Sequence, residues 1–160
     1  MAIRILGQHP EVQVRLRQQP ERIPDFLEEV LRYDGPVKMT YRLAQRSAKV
    51  GSVEVPAGTV VALSLTGASN DPRHFENPKE FNMDRPRVRD HVAFSRGAHA
   101  CLGAPLARLE ARVAIARILA RTGNIRLSEV HHGPPEARRF RYRPTYSFRS
   151  LSDLHVEFAT

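Results

Sequence analysis

A single cysteine, no tryptophan and no apolar run long enough to span a bilayer are the first constraints set by this chain of 160 residues. One cysteine excludes an internal disulfide, so nothing here reads as a disulfide-stapled scaffold. Met1 to Gly7 is apolar but interrupted by Arg4, which excludes a signal-peptide core or a membrane helix at that point, and the expectation is a cytoplasmic chain that meets no membrane. The chain has no internal repeat and no low-complexity segment. Its 25 basic residues, nearly all arginine, outnumber 17 acidic ones for a net charge of +8, yet they form no block. Zinc-finger spacing and aromatic-basic alternation are also missing, so the charge by itself does not mark a nucleic-acid binder. A hydrophobic content of 41% gives one domain's worth of chain with a moderate core.

What is present is organised around FSRGAHACLGAPLARLEARVAIARILAR, Phe94 to Arg121, a tight loop that delivers Cys101 to the start of a helix. Leu102, Leu106, Leu109, Val113, Ala116 and Ala120 recur at alternating spacings of four and three, and Ile115, Ile118 and Leu119 widen the stripe. That pattern predicts a largely buried helix. Pro105 suits a first turn, which places free backbone N–H groups and the positive dipole end beside the sulfur. Gly97 permits a turn and Gly103 a close backbone approach. A sulfur so placed suits a nucleophile, with His99 as its nearest base, or an axial metal ligand; it also suits a small buried hydrophobe.

Around this stretch, Met1 to Gln8 reads as the last turns of a longer helix and Pro10 to Arg17 as a short one. Pro24 opens a further helix, DFLEEVLRY, with Phe26, Val30 and Tyr33 on one face. On it Glu29 and Arg32 form an i,i+3 pair that, on a solvent face, contributes about 0.2–0.5 kcal/mol. After Asp34-Gly35-Pro36 the period changes, and Val37 to Arg42, Ser52 to Val55 and Thr59 to Leu65 are short strands, the last two joined by the turn PAG. Ala68 to Arg89 is an ordered, irregular meander in which His74 is structural. Thr122-Gly123-Asn124 stops the long helix. His131-His132-Gly-Pro-Pro is a solvated turn without matching metal ligands, and from Phe140 to Phe158 alternating aromatics predict a terminal hairpin.

The ten-residue pattern Phe94, Ser95, Gly97, His99, Cys101, Leu102, Gly103 with its fixed gaps resembles the haem-binding loop of the cytochrome P-450 monooxygenases. The resemblance implies that Cys101 is the thiolate ligand of haem iron, in iron protoporphyrin IX, that Phe94 shields it and that His99 binds a propionate. It further implies that Glu29, Arg32 and Arg85, the last in PKEFNMDRP, form a buried charge network, that Arg42 binds propionate, and that Val37 and Met39 line a substrate pocket. ASNDPRHFENPKEFNMDRP is similar to the family's meander. The implied fold is mainly α with small antiparallel β hairpins, the C-terminal haem-binding part of the P-450 fold over residues 1–160.

The implied activity is insertion of one oxygen atom of dioxygen into a small apolar organic substrate, with electrons from a ferredoxin-type donor and its reductase, which Arg96, Arg108 and Arg112 would attract. A complete member is well over twice as long. The N-terminal helices and the acid-alcohol pair of the long distal helix are missing, so the sequence is either a partial record or a truncated product. A haem-thiolate binder or sensor without turnover would share the loop, an Arg-rich nucleic-acid binder would bind with steep salt dependence, and a cysteine hydrolase would need no haem.

Overall fold

The computed structural model describes residues 1–158. Helix α3, Ile23–Asp34, is the central element, and it forms where the sequence asks for it: Pro24 lies in the first turn, where its missing N–H is not needed, and Asp25 sits at the positive dipole end. Its apolar face, Ile23, Phe26, Leu27 and Val30, packs with Ile5 and Leu6 of α1 (Ala2–Gln8) and Val12 and Leu16 of α2 (Pro10–Gln18). Met83, Ile125, and Ile115 and Leu119 of α5 (Ala104–Arg121) complete this core. Gln13 is wholly buried and satisfied: its amide donates to the carbonyls of Leu6 at 2.7 Å and Ile125 at 2.8 Å and accepts from the Ile125 N–H at 2.9 Å. It is the polar pin that joins α1, α2 and the segment after α5.

Among the described residues, three two-stranded antiparallel sheets complete the frame. β1 (Met39–Leu43) pairs with β4 (Val60–Ser64), Met39 opposite Ser64 and Leu43 opposite Val60, while β2 (Ala48–Val50) pairs with β3 (Val53–Val55). The strands expected to share the PAG turn therefore pair with other partners. Gly51, at φ +60°, folds β3 back on β2, and Gly58, at φ +84°, sends the chain away so that β4 reaches β1. A short helix α4, Leu65–Ser69, follows, capped by the Ser64 hydroxyl accepting the Gly67 N–H.

The predicted terminal hairpin is reduced to one antiparallel bridge, Tyr142 to Leu151, flanked by bonds from the Arg143 N–H to Ser150 and the Ser152 N–H to Arg141 at 2.9 Å each, while Phe148 bridges to Val37. Pro144 offers no N–H to a ladder, and Tyr146 and Phe148 are exposed, so no buried face sets a register. The last strand, β6 (Val156–Phe158), pairs instead with β5 (Ile125–Leu127), whose Ile125 and Leu127 side chains are buried. Between them lies α6 (Glu129–His132), and His132 is not in a solvated turn. It is buried, its Nε2 accepting the His155 N–H at 2.9 Å and its Nδ1 bonded to the Arg139 carbonyl at 3.3 Å. Among the described residues no cluster of three or more ligating side chains could hold a metal, and no helix is long and apolar enough to cross a membrane.

Helix α5 departs most from expectation. Only Ala104, Ile115 and Leu119 are buried, while Leu106, Leu109 and Val113 are exposed and Leu102, outside the helix, is 99% exposed. The packed face is offset from the long stripe: Ala111, Ile115, Ala116, Ile118 and Leu119 lie against the core, and the Leu102–Val113 stripe is left uncovered by the described residues.

Charges are buried on α3 as deliberately as apolar groups. Glu29 and Arg32 have no exposed side-chain area and Arg85 retains 5%. The Glu29 carboxylate accepts from Arg32 at 2.7 and 2.8 Å, from Arg85 Nε at 3.1 and 3.2 Å and from the Asn82 N–H at 3.0 Å. The remaining guanidinium donors go to carbonyls of the meander: Arg32 to Ser69, Pro78 and Glu80, Arg85 to Glu76, Asn77 and Glu80. An irregular segment with few bonds of its own is thus held by two side chains that use nearly every donor they have. Glu29→Ala strands two buried cations and is expected to cost about 3–5 kcal/mol in denaturant-induced unfolding. Breaking the exposed Arg73–Asp71 pair by Arg73→Ala should leave the midpoint essentially in place, and equal effects of the two changes would refute the assigned hierarchy.

Candidate cofactor site at the cysteine loop

The loop before α5 closes on itself. The Cys101 N–H donates to the Phe94 carbonyl at 2.9 Å, the Ser95 N–H to Val92 at 2.8 Å, and the Ala100 N–H to Gly97 at 3.0 Å across a single 3-10 turn. Gly97 takes φ +71° and Ser95 φ +60°. The first is relaxed for glycine; the second costs a residue with a Cβ about 1–2 kcal/mol and is held by the surrounding bonds. Gly103 precedes α5, Pro105 lies in its first turn, and Cys101 projects a free, exposed thiol ahead of them. A Cβ on Gly103 would sit 3.7 Å from Sγ, so glycine keeps that side of the sulfur clear.

The other expected residues fall into separate places. Glu29, Arg32 and Arg85 meet as described. His99 is exposed in the turn before the cysteine. Arg42 is half-buried on β1, its Nη1 donating to Thr40 Oγ1 at 3.1 Å and to the Tyr41 carbonyl at 2.8 Å, so its hydrogen bonds tie it to its own strand and not to the loop. Val37 and Met39 are half-buried at the entry to β1, with Val37 bridged to Phe148. Of the three arginines beside the loop, Arg96 reaches back to the Asp90 carbonyl at 2.8 Å and Arg112 is exposed. Arg108 is already engaged.

Its partner is Glu28, a buried carboxylate that sequence reasoning passed over. Arg108 grips it with two bonds, at 2.6 and 3.0 Å, and His91 Nε2 lies 3.0 Å from the same carboxylate. The Ala93 N–H donates to His91 Nδ1 at 3.2 Å, which assigns the imidazole proton to Nε2 and makes it the donor to Glu28. The Arg108 guanidinium then lies over the Phe94 ring, 4.6 Å from its centre. Successive helical residues project about 100° apart, so Glu28 and Glu29 leave α3 in different directions and serve different segments. The signal in the sequence was the Glu-Glu doublet itself inside an otherwise apolar helical face, with two carboxylates where a solvent-facing pair needs one.

Burial pushes the Glu28 carboxyl upward, but the bonds from His91 and Arg108 outweigh it and hold its pKa at about 2 against an ordinary 4.5. A depressed carboxylate contributes stability that is fully present above its unfolded value and is lost as pH falls through the folded value. The Glu28 contribution should therefore disappear between about pH 4.5 and about pH 2. Unfolding curves for Glu28→Gln should be flatter with pH in that window than those of the parent, and parallel curves would show that the carboxylate is not held as described.

The family model described as Cytochrome P450 matches residues 2–124. The chain is 39% identical over 153 residues to the biotin biosynthesis cytochrome P450 of Bacillus subtilis, covering 96% of this chain and 36% of that protein. Among solved structures it superposes with a TM-score of 0.96 and 50% identity on Mycobacterium marinum cytochrome P450 CYP150A6 in its substrate-free form, over 99% of this chain and 39% of that one. P450BioI in complex with an acyl carrier protein ligated to hexadec-9Z-enoic acid gives a TM-score of 0.88 at 39% identity, again over 99% of this chain and 39% of that chain. The chain thus spans little more than a third of these proteins, and its helices and paired-strand sheets match that part of their fold. With a family match over most of its length, identity to P450s of known structure and a closed cysteine loop at the head of α5, the chain belongs to the cytochrome P450 family.

Proposed function

We propose that the chain is the haem-proximal portion of a haem-thiolate monooxygenase in which the Cys101 sulfur would hold the haem iron. The observation that carries the reading is the exposed Cys101 thiol, presented by a self-closed loop just ahead of the α5 N-terminus and left accessible by Gly103. These residues fit the group. The sulfur is free, Leu102 beside it is exposed, and Leu106, Leu109 and Val113 continue an uncovered apolar surface along α5. An uncovered stripe of this kind marks an interaction surface. His99 and Arg42 would hold the two propionates.

Bound there, haem would supply the activation of dioxygen for insertion of one oxygen atom into an apolar substrate. The chain's own residues hold and orient. Cys101 would hold the iron, Phe94 would shield the sulfur, Gly97 shapes the turn, and Val37 and Met39 would border the substrate side. The hexadec-9Z-enoic acid carried by the acyl carrier protein bound to P450BioI supports an apolar organic substrate class. Electrons come from a ferredoxin-type donor and its reductase in the cytoplasm, and the exposed Arg96 and Arg112 provide a salt-sensitive docking charge.

Cys101→Ser or Cys101→His is expected to abolish the red-shifted thiolate signature of the reduced, carbon monoxide-bound absorption spectrum. A parent protein that never shows that signature after haem loading refutes the reading. The chain spans little more than a third of the relatives it matches, and the 160 residues alone, if loaded with haem, are expected to give no coupled turnover, because an open site does not exclude water. Supplied with haem, a reductase system and candidate substrates, it should yield hydrogen peroxide in preference to oxygenated product. Coupled product formation at the rate of a complete relative would overturn that expectation.

A further inference from the structure

The Glu28 cluster lies outside the charge network that holds the meander and outside the groups that would touch haem. Its members come from three segments: Glu28 from α3, His91 from the approach to the loop, and Arg108 from the second turn of α5. Glu28 and His91 have almost no exposed side-chain area, whereas Arg108 is 39% exposed. A surface arginine recruited for long-range attraction has no need of a bidentate bond to a buried carboxylate. Arg108 has one, and its flat face is spent on an aromatic ring whose own backbone carbonyl accepts the Cys101 N–H.

We propose that Arg108, oriented by Glu28 and His91, is a positioning residue for the sulfur: by pinning the Phe94 ring it holds the Phe94 carbonyl where it accepts the Cys101 N–H. The chain of contacts is short and continuous. His91 donates to Glu28, Glu28 takes both arms of Arg108, Arg108 lies over the Phe94 ring, and the Phe94 carbonyl closes the loop on Cys101. Each link suits its residue type. A guanidinium can make a two-armed bond to a carboxylate and stand over a ring at once, whereas lysine offers a point charge and does one or the other. A carboxylate with both oxygens engaged cannot turn, and the Ala93 N–H on His91 Nδ1 prevents the imidazole from flipping.

The ring position also matters because the loop carries its own strain. Ser95 stands at φ +60° immediately after Phe94, a conformation that costs a residue with a Cβ. Freed of Arg108, the Phe94 segment can rotate, and the bond to the Cys101 N–H opens with it. Arg108 is thereby removed from the set of arginines that attract an electron donor, and its neutralisation by Glu28 keeps its charge from accumulating at the loop.

The inference touches haem only through the reading of Cys101 as its ligand, and the test separates the two. In the haem-free chain, amide hydrogen exchange at Cys101 reports the loop bond directly. Arg108→Gln and Phe94→Leu should each speed that exchange roughly tenfold, equivalent to about 1.4 kcal/mol, while the Asn82 amide, held by Glu29, keeps its protection. The double variant should exchange no faster than either single one, because both cut the same contact. Arg108→Lys should rescue only part of the protection. In the haem-loaded protein, the same variants should shift intensity out of the thiolate carbonyl signature. Unchanged Cys101 exchange in Arg108→Gln overturns the proposal, and so does equal acceleration at Cys101 and Asn82, which would make Arg108 a general stabiliser. Loss of loop protection in a protein whose parent never shows the thiolate signature refutes the haem reading and leaves the positioning role standing.

Discussion

One buried carboxylate sets the terms for this structure. Glu29 sits on α3 with no solvent contact, and a carboxylate in that position is tolerable only if its oxygens are saturated with donors. Arg32, Arg85 and the Asn82 N–H saturate them, and the two guanidinium groups then need acceptors for their remaining protons. The carbonyls of Ser69 to Glu80 provide these, so a segment with little regular hydrogen bonding of its own becomes ordered as a consequence of charge burial one helix away. The meander and α3 are one unit, and everything after the meander is placed relative to it.

The neighbouring carboxylate does the same for the loop. Glu28 faces another direction and gathers His91 and Arg108, which fixes the path into the cysteine loop and the first turns of α5. Adjacent residues on one helix therefore position two irregular segments that a chain of this size could not order by apolar burial alone. A third buried acid, Asp34 at the end of α3, takes Arg4 and Arg149 at 2.6 Å each and ties α1 and the C-terminal region to the same helix. The apolar core holds helices together; the carboxylates of α3 hold the loops.

How much of this was legible depended on whether the determining contacts were local. The elements α1, α2, α3 and α5 were readable because prolines in first turns and apolar spacing act within a few residues. The identity of the partners was less so. Ser52 to Val55 and Thr59 to Leu65 were readable as strands, but their pairing, as β3 with β2 and β4 with β1, depended on the glycines at positive φ that reverse the chain. The aromatic alternation after Phe140 marked a hairpin that is shorter than the pattern, a single Tyr142–Leu151 bridge, because Tyr146 and Phe148 have no buried face to extend it. His132, in a stretch that looked like a solvated turn, is buried because β6 returns to β5 and brings the His155 N–H to it.

The cysteine loop, the Glu29–Arg32 spacing and the arginine in the meander were readable from the chain alone, since short-range patterns of residue type carry them and the family resemblance rests on them. What only the tertiary structure decided is which faces are buried and which charges are spent. The long apolar stripe of α5 promised burial, yet α3 and α2 take the adjacent face, and the stripe stands uncovered among the described residues. Arg108 looked like one of several surface cations until Glu28 and Phe94 were seen to hold it. Hydrophobic period depends on backbone geometry and is written locally; the choice between two faces of one helix, or between solvent and a buried carboxylate as an arginine's partner, depends on what the rest of the chain brings within reach.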